Sequence, residues 1–418
     1  RDPAANDQAL EGRTDTMVFT SYRIQSLRKA EESLFASGLA WWRSWQEWHG
    51  LSTPGRPTTF EPRDVSTGPK THVHMVSATA ESADPNGMPL VCLHGFAHGT
   101  SVFYTAAAPL AEAYAAGPVF ILDMPGCGLS SRPAYAIAAD PEQRRLEAES
   151  FFCDELEAWR KAMGIERMVL TGHSVGGHSA FAYAERHPER VERLVLISPA
   201  GVPRAPKDFD PKGNRDKPLL FQLAFSLWER GYSPLSMVRT GAGWGPGRWL
   251  VNSYVRRRLG TGATWSHPEL YADYMYCNHV AGEGSWGASV HTTLLMPGAY
   301  ARSPLCDRFA GMDWARGPSG VAFIYGDSND WMERSAAEAV RDGVHGMGER
   351  VAVCRVAGAG HNVPLDNPLG LVDAILASAT PRALDGRVFG RQALRQDAAW
   401  QAAVQRGAPA ARARTGSI

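Results

Sequence analysis

The 418-residue chain carries 43 Lys and Arg against 43 Asp and Glu, a formal net charge of zero with its 13 His neutral. That balance argues against nucleic acid as the main partner, because phosphate binding leaves a basic surface. With 44% hydrophobic and 21% charged residues, the composition is that of a folded globular protein and excludes wholesale disorder.

Residues 1–30 are polar and mixed in charge, and are expected to be poorly ordered. The stretch 31–49, EESLFASGLAWWRSWQEWH, places Phe35, Leu39, Trp42 and Trp45 at helical spacing, with Trp41 and Trp48 beside them. It reads as an amphipathic helix that runs into a Pro-, Gly- and Thr-rich connector over 50–70, so that 31–70 forms one segment. From 71 onward, short apolar runs alternate with helical patterns. Strands are expected at 71–80, 89–95, 119–126, 168–174, 194–201, 321–327 and 351–358, and helices at 143–163 and 175–187. Several of the runs are unbroken Val, Ile and Leu, as in parallel strands covered on both faces. The fold class is therefore α/β, a doubly wound and mostly parallel sheet.

The alternation stops between 202 and 314, a stretch rich in aromatics that include Trp228, Trp244, Trp249, Trp265, Trp286 and Trp314. A structureless loop of that length is implausible, so 202–314 reads as a helical cap inserted ahead of the strand at 321. The core then comprises 71–201 and 315–380, and the Ala- and Arg-rich stretch 381–418 is a basic flexible tail. No apolar run is long enough to span a bilayer. The six cysteines show neither a C-x-x-C pair nor zinc spacing, so no metal site is expected, and scattered thiols suit a reducing, cytoplasmic compartment. The first residue is Arg, so targeting is not legible from this end and organelle import is left open.

The strongest chemical signal is Gly172-His173-Ser174-Val175-Gly176-Gly177, directly after a strand and directly before a helix. G-x-S-x-G in that setting is a nucleophile elbow, a tight turn that exposes Ser174 Oγ above the sheet. A serine hydroxyl needs a base. His361, on a Gly-rich loop after the late strand 351–358, is in the right place in the chain order Ser, acid, His. The acid follows strand 321–327, where Asp330 is favoured over Asp327 because it lies further onto the loop. Its role is to hold the imidazole tautomer. Backbone N–H groups of Phe96, in Leu93-His94-Gly95-Phe96, and of Val175 are the expected oxyanion donors.

These motifs together resemble the α/β-hydrolase superfamily over roughly 70–380. Asp123-Met124-Pro125-Gly126-Cys127-Gly128-Leu129-Ser130-Ser131-Arg132-Pro133, Tyr274-Met275-Tyr276-Cys277-Asn278 and Asp330-Trp331-Met332 are similar to one branch of it. That branch holds the lipid-droplet lipase coactivator of animals, the N-acyl phospholipid lysophospholipase, and plant and yeast lysophosphatidic acid acyltransferase-phospholipases. The resemblance implies a serine-dependent lipid acyl hydrolase or acyltransferase on (lyso)phospholipid or acylglycerol esters. Such an enzyme needs no cofactor for hydrolysis, and acyl-coenzyme A is a co-substrate for transfer.

The branch's H-x-x-x-x-D motif reads here as His361 to Asp366, and implies a coenzyme-A-dependent acyltransferase as the alternative. Asp366 also reads as the start of the last helix, ahead of Pro368. A third reading, from a different class, is a lipid-droplet-bound regulatory protein without turnover and with a lipase partner. Against it, Ser174 stands where the coactivator has Asn. Trp41, Trp42, Trp45 and Trp48 resemble the coactivator's Trp-rich anchor, which implies peripheral contact with a membrane or droplet surface. The bland reading of the same residues is a helix packed on the domain through its aromatic face.

Overall fold

The apolar runs become the strands of one nine-stranded sheet in a computed structural model of the chain, with the order β1-β2-β4-β3-β5-β6-β7-β8-β9. The structure describes residues 4–51, 58–133, 140–210, 219–233, 235, 238–239, 246–258, 268–280, 286–343 and 349–391. The strands are β1 Thr58–Ser66, β2 His72–Ala80, β3 Leu90–Leu93, β4 Val119–Leu122, β5 Met168–His173, β6 Val191–Ile197, β7 Val321–Gly326, β8 Val351–Val356 and β9 Val388–Phe389. β2 pairs antiparallel with both β1 and β4, and the other pairings are parallel.

The unbroken apolar runs follow from cover on both faces. Leu90, Cys92, Val119 and Ile121 enter one apolar body, while their neighbours Val91, Leu93, Phe120 and Leu122 enter the other. The period-two alternation of side chains divides one hydrophobic sequence between two cores. Helices α2 Ala107–Ala113, α3 Pro141–Ala162 and α4 Val175–Arg186 follow β3, β4 and β5. α3 starts on Asp140, whose carboxylate accepts the Gln143 N–H, with Pro141 in the first turn.

Three expectations are corrected at the ends of the chain. The segment 1–30, expected to be poorly ordered, lies largely within helix α1, Ala4–Trp48. From Ile24 onward this helix packs on the core, with Leu27 and Leu34 fully buried. Its polarity concealed this because one of its buried residues is Glu31, only 2% exposed. The connector at 50–70 contains β1, an edge strand with seven of nine residues outside the core, which leaves it no apolar pattern. Pro62 is tolerated there, in an edge strand. The tail from 381 begins with the short helix Pro381–Leu384 and β9, and 392–418 lie outside the described residues.

Of the Trp cluster, two side chains are buried and Trp42 and Trp48 are half-buried. Trp41 and Trp45 are 4% and 7% exposed, and Trp42 stacks on Trp45 with ring centroids 5.3 Å apart. Trp42 Nε1 donates to Glu112 on α2 at 2.9 Å. The aromatic face of α1 is thus covered in part within the molecule.

α1 is also fastened by charge. His74 on β2 is fully buried between two carboxylates, with Nδ1 2.6 Å from Asp64 and Nε2 2.8 Å from Glu31. Burial pushes its pKa down, but the hydrogen bonds to Asp64 and Glu31 outweigh that and raise it to about 10. Glu31, His74 and Asp123 bring ligand-type atoms within 4.8 Å of one another. Hydrogen bonds occupy these atoms: Thr100 Oγ1 donates to Glu31, and the Thr100 and Leu129 N–H groups donate to Asp123.

Between β6 and β7 the main described elements are helices: α5 Leu219–Glu229, then Pro246–Arg258, Pro268–Val280 and Trp286–Leu294. They form the cap. Trp228 Nε1 donates to the Leu295 carbonyl at 2.8 Å, which ties α5 to the fourth of these helices. Trp244 and Trp265 lie outside the described residues.

Candidate active site

β5 ends in the turn that the G-x-S-x-G pattern anticipates. Ser174 adopts φ 55° and ψ −118°, a conformation that L residues rarely hold, immediately before α4. The turn is possible because Gly172 has no side chain: a Cβ there would collide with the Gly176 carbonyl. A second close approach aligns the oxyanion side. A Cβ on Gly95 would lie 2.8 Å from His173 Nδ1 and 3.1 Å from Ser174 Cβ, so only glycine brings the β3 loop this near the nucleophile. Among the described residues, no protein acceptor takes the Phe96 N–H. Val175 opens α4, where backbone N–H groups lack intrahelical partners. Phe96 follows Gly95, which approaches Ser174, and Val175 follows Ser174 in the chain.

His94 lies below this turn, with Nδ1 2.8 Å from the Gly95 carbonyl and Nε2 accepting the Met124 N–H at 3.0 Å. Burial lowers its pKa.

His361, on the loop after β8, places Nε2 3.1 Å from Ser174 Oγ. Its Nδ1 lies 3.4 Å from Asp330 Oδ1, near enough for an ion pair and longer than a well-formed hydrogen bond. Such bonds often tighten only when substrate binds. Asp330 is held firmly: Oδ2 accepts from Ser198 Oγ at 2.6 Å and from Gly326 N at 3.0 Å, and Oδ1 accepts from Met332 N at 3.1 Å. Burial raises its pKa, yet hydrogen bonding to His361, Ser198 and Met332 brings it below the ordinary carboxylate value. Asp327 does something else. Its Oδ1 accepts the Gly358 N–H at 2.6 Å and so ties the β7 loop to the His361 loop.

Asp366 sits near the same loop, but its Oδ2 accepts the Gly360 N–H at 2.9 Å. Burial raises its pKa to about 6 against the pull of that bond. Ser174, His361 and Asp330 are thus brought together, and Asp366 braces the loop beside them.

Three contributors were not anticipated. Ser198 follows β6 at φ 41° and anchors Asp330. His173 Nε2 lies 2.9 Å from the His361 carbonyl; burial lowers its pKa to about 3, so it is neutral and positions that loop. Trp331 covers His361, ring to ring at 4.7 Å. A non-glycine residue forced to positive φ at a strand end was the available signal for Ser198, but it is visible only in the backbone.

The serine and histidine open into a cavity of about 990 Å³ whose walls include Phe96, Phe225, Trp228, Tyr254 and Leu295. It is large enough for a long chain, and its lining mixes these apolar side chains with polar ones that include Arg257, Asn329 and Asp366.

The comparisons with known proteins agree with this geometry. Residues 88–227 match the α/β hydrolase fold family. A 1-acylglycerol-3-phosphate O-acyltransferase of Arabidopsis thaliana is 32% identical over 318 residues, covering 73% of this chain and 69% of the relative. A (lyso)-N-acylphosphatidylethanolamine lipase of Mus musculus is 30% identical over 312 residues, covering 74% of this chain and 83% of the relative. A bacterial membrane phospholipase A shares the fold at a TM-score of 0.53 and 22% identity, over 90% of this chain and 96% of that one. With its elbow, its inserted cap and these relatives, the chain belongs to the α/β-hydrolase family, in the branch of those acyltransferases and lipases.

Proposed function

We propose that this protein is a serine-dependent lipid acyl hydrolase or acyltransferase, acting on (lyso)phospholipid or acylglycerol esters through an acyl-enzyme. The observation behind it is the 3.1 Å approach of His361 Nε2 to Ser174 Oγ in a wide cavity that Phe96, Phe225, Trp228 and Leu295 help to line. His361 takes the hydroxyl proton as Ser174 Oγ attacks the ester carbonyl. The carbonyl oxygen becomes an oxyanion between the Phe96 and Val175 N–H groups. His361 then gives the proton to the leaving alkoxide. Water releases the fatty acid, or a lysophospholipid hydroxyl takes the acyl group in transfer. Acyl-coenzyme A serves as an alternative acyl donor to the same serine.

The position of Asp366 favours this route over one through His361 and Asp366 alone. Its carboxylate is engaged by Gly360, while Nδ1 of His361 faces Asp330. The experiment compares wild type with Ser174→Ala on lysophosphatidic acid and phospholipid vesicles, with and without oleoyl-coenzyme A, resolving products by mass. Fatty acid release and transfer should both fall by about 10³-fold or more in the variant. Phosphatidic acid formation that survives it would defeat the reading.

Peripheral association with a lipid surface fits the cap better than the buried Trp cluster. Tyr254 and Trp331 are exposed and also line the cavity, so they mark its mouth. Leu223 and Trp249, 56% and 66% exposed, lie on the same two cap helices as Phe225 and Tyr254. Aromatic and aliphatic side chains beside the arginines of Pro246–Arg258 suit an anionic lipid interface. Among the described residues, no helix is long and apolar enough to cross a membrane.

A further inference from the structure

The turn Gly95-Phe96-Ala97-His98 carries the Phe96 N–H, and its backbone shows how that group is aimed. The Gly95 carbonyl and the Phe96 N–H belong to one trans peptide plane, so they point in opposite directions. Whatever holds the carbonyl therefore aims the N–H. Two donors hold it. His94 Nδ1 lies 2.8 Å from that oxygen below the turn, and the His98 N–H donates to it at 3.3 Å across the turn. Ala97 lies between them at φ 68°. Turns with positive φ at the third residue favour Gly or Asn there, so with alanine the conformation must be held from outside.

The hold comes from the cap. The cap helix Pro268–Val280 places Tyr271, Tyr274 and Asn278, spaced i, i+3 and i+7, on one face. Tyr271 Oη lies 2.6 Å from His98 Nδ1. Asn278 Nδ2 donates to the His98 carbonyl at 2.8 Å, while its Oδ1 accepts the Gly128 N–H of the loop after β4 at 2.9 Å. Tyr274 comes so near that a Cβ on Gly99 would lie 2.1 Å from its hydroxyl. His98 is thus gripped at its ring and its carbonyl, and crowded at the next residue. Tyr271 and Tyr274 are fully buried and Asn278 is 5% exposed, so little water competes for these bonds.

We propose that Asn278 and Tyr271 are positioning residues for the oxyanion hole, holding from the cap the turn that aims the Phe96 N–H. The assignment rests on the serine-ester reading above and adds to it a cap that takes part in the chemistry. Both side chains lie outside the lining of the catalytic cavity. They act through His98, whose N–H fixes the Gly95 carbonyl. With the cap lifted, Ala97 is free to return to negative φ, and the Gly95–Phe96 peptide turns its N–H away. The reactivity of Ser174 is therefore coupled to the seating of a helix that shares its apolar body with α1.

The test uses the full chain and the variants Asn278→Ala, Tyr271→Phe and Met275→Ala, each with its melting temperature recorded. Met275 is a buried residue of the same helix, and its truncation loosens the packing without removing either bond. The first readout is kcat and KM on a dissolved short-chain ester. The second is inhibition by butylboronic acid. Boron takes a lone pair of Ser174 Oγ while His361 takes the hydroxyl proton, and the tetrahedral anion places an oxygen in the hole. Asn278→Ala should lower kcat about tenfold with KM unchanged, part of the roughly 10²–10³ that one oxyanion donor is worth. Its boronate inhibition constant should rise by a similar factor, because the adduct resembles the transition state. Tyr271→Phe should shift both readouts the same way by less. Met275→Ala should lower the melting temperature and leave both near wild type. Unchanged boronate inhibition in folded Asn278→Ala and Tyr271→Phe overturns the proposal. So does an equal loss in Met275→Ala, which reduces the effect to packing, or a rise in KM alone, which moves the two residues to substrate binding. If wild type hydrolyses no ester, or Ser174→Ala still does, the serine-ester reading fails, and calorimetry of the boronate on the same variants still decides the positioning role. A wild type that binds no boronate overturns both.

Discussion

Ser198 shows how a residue outside the triad sets its geometry. Its hydroxyl holds Asp330 at 2.6 Å, and the carboxylate in turn faces His361. Ser198→Ala should lower kcat about tenfold with little change in KM, because a charged-group hydrogen bond of about 1.5–3 kcal/mol then no longer fixes the acid. A KM effect of the same size in steady-state kinetics would point to substrate contact instead. Asp366 supports a contrasting prediction. Its pKa rises from an ordinary 3.8 to about 6, so the native state holds the extra proton and loses stability as pH climbs through that window. Asp366→Asn should therefore stabilise the protein above pH 6 by about 1–3 kcal/mol, read as a raised melting temperature, with ester hydrolysis retained. Loss of activity without a stability gain would return Asp366 to the chemistry. That Ser174, His361 and Asp330 lie together was legible because chain order and the strand–turn–helix setting are local features. Ser198 and His173 were not, since their roles exist only once β6, β7 and the His361 loop are packed together.

At the scale of elements, helix α1 depends on a buried charge cluster. His74 has its pKa raised from 6.5 to about 10, so its contribution is full below pH 6.5 and fades as pH rises through 10. Asp64 has its pKa lowered, first by its bond to His74, so its share is present above pH 3.8 and is lost on acidification. α1 should thus loosen from the sheet near pH 10, visible as a change in tryptophan fluorescence from Trp41, Trp42, Trp45 and Trp48. Glu31→Gln leaves His74 half compensated and should cost about 3–5 kcal/mol in denaturant unfolding. If α1 keeps its fluorescence and stability in that variant, the cluster does not hold it. Sequence periodicity found the helix from its aromatic stretch but not its first half. A buried glutamate looks like a surface residue until its histidine partner, 43 positions later, is in place. The same holds for β1, whose mostly exposed edge leaves no alternation to read.

Across the whole molecule, the sheet and its inserted cap were legible because unbroken apolar runs and the gap between them are large-scale features. The exposed apolar side chains of the cap were not. Four tryptophans in eight residues drew attention to α1, yet two are buried and another donates to Glu112. The cap carries exposed apolar groups of its own, Leu223, Tyr232, Trp249 and Tyr254. Leu223→Asp combined with Trp249→Ala should reduce sedimentation with anionic vesicles several-fold, while turnover of a dissolved short-chain ester stays near wild type. Undiminished vesicle binding would move the lipid contact elsewhere.

The placement of α1 also bears on how the protein is made. Leu27, Leu34 and Phe35 share one apolar body with Tyr271, Tyr274 and Met275 of the cap. The helix leaves the ribosome before the cap, whose covering residues are synthesised more than two hundred positions later. Throughout that interval the helix can pack on Phe60 and the first strands but lacks its cap partners, and exposed apolar surface of that kind engages chaperones or aggregates. An element translated ahead of the whole sheet thus completes its packing only when the cap has been made.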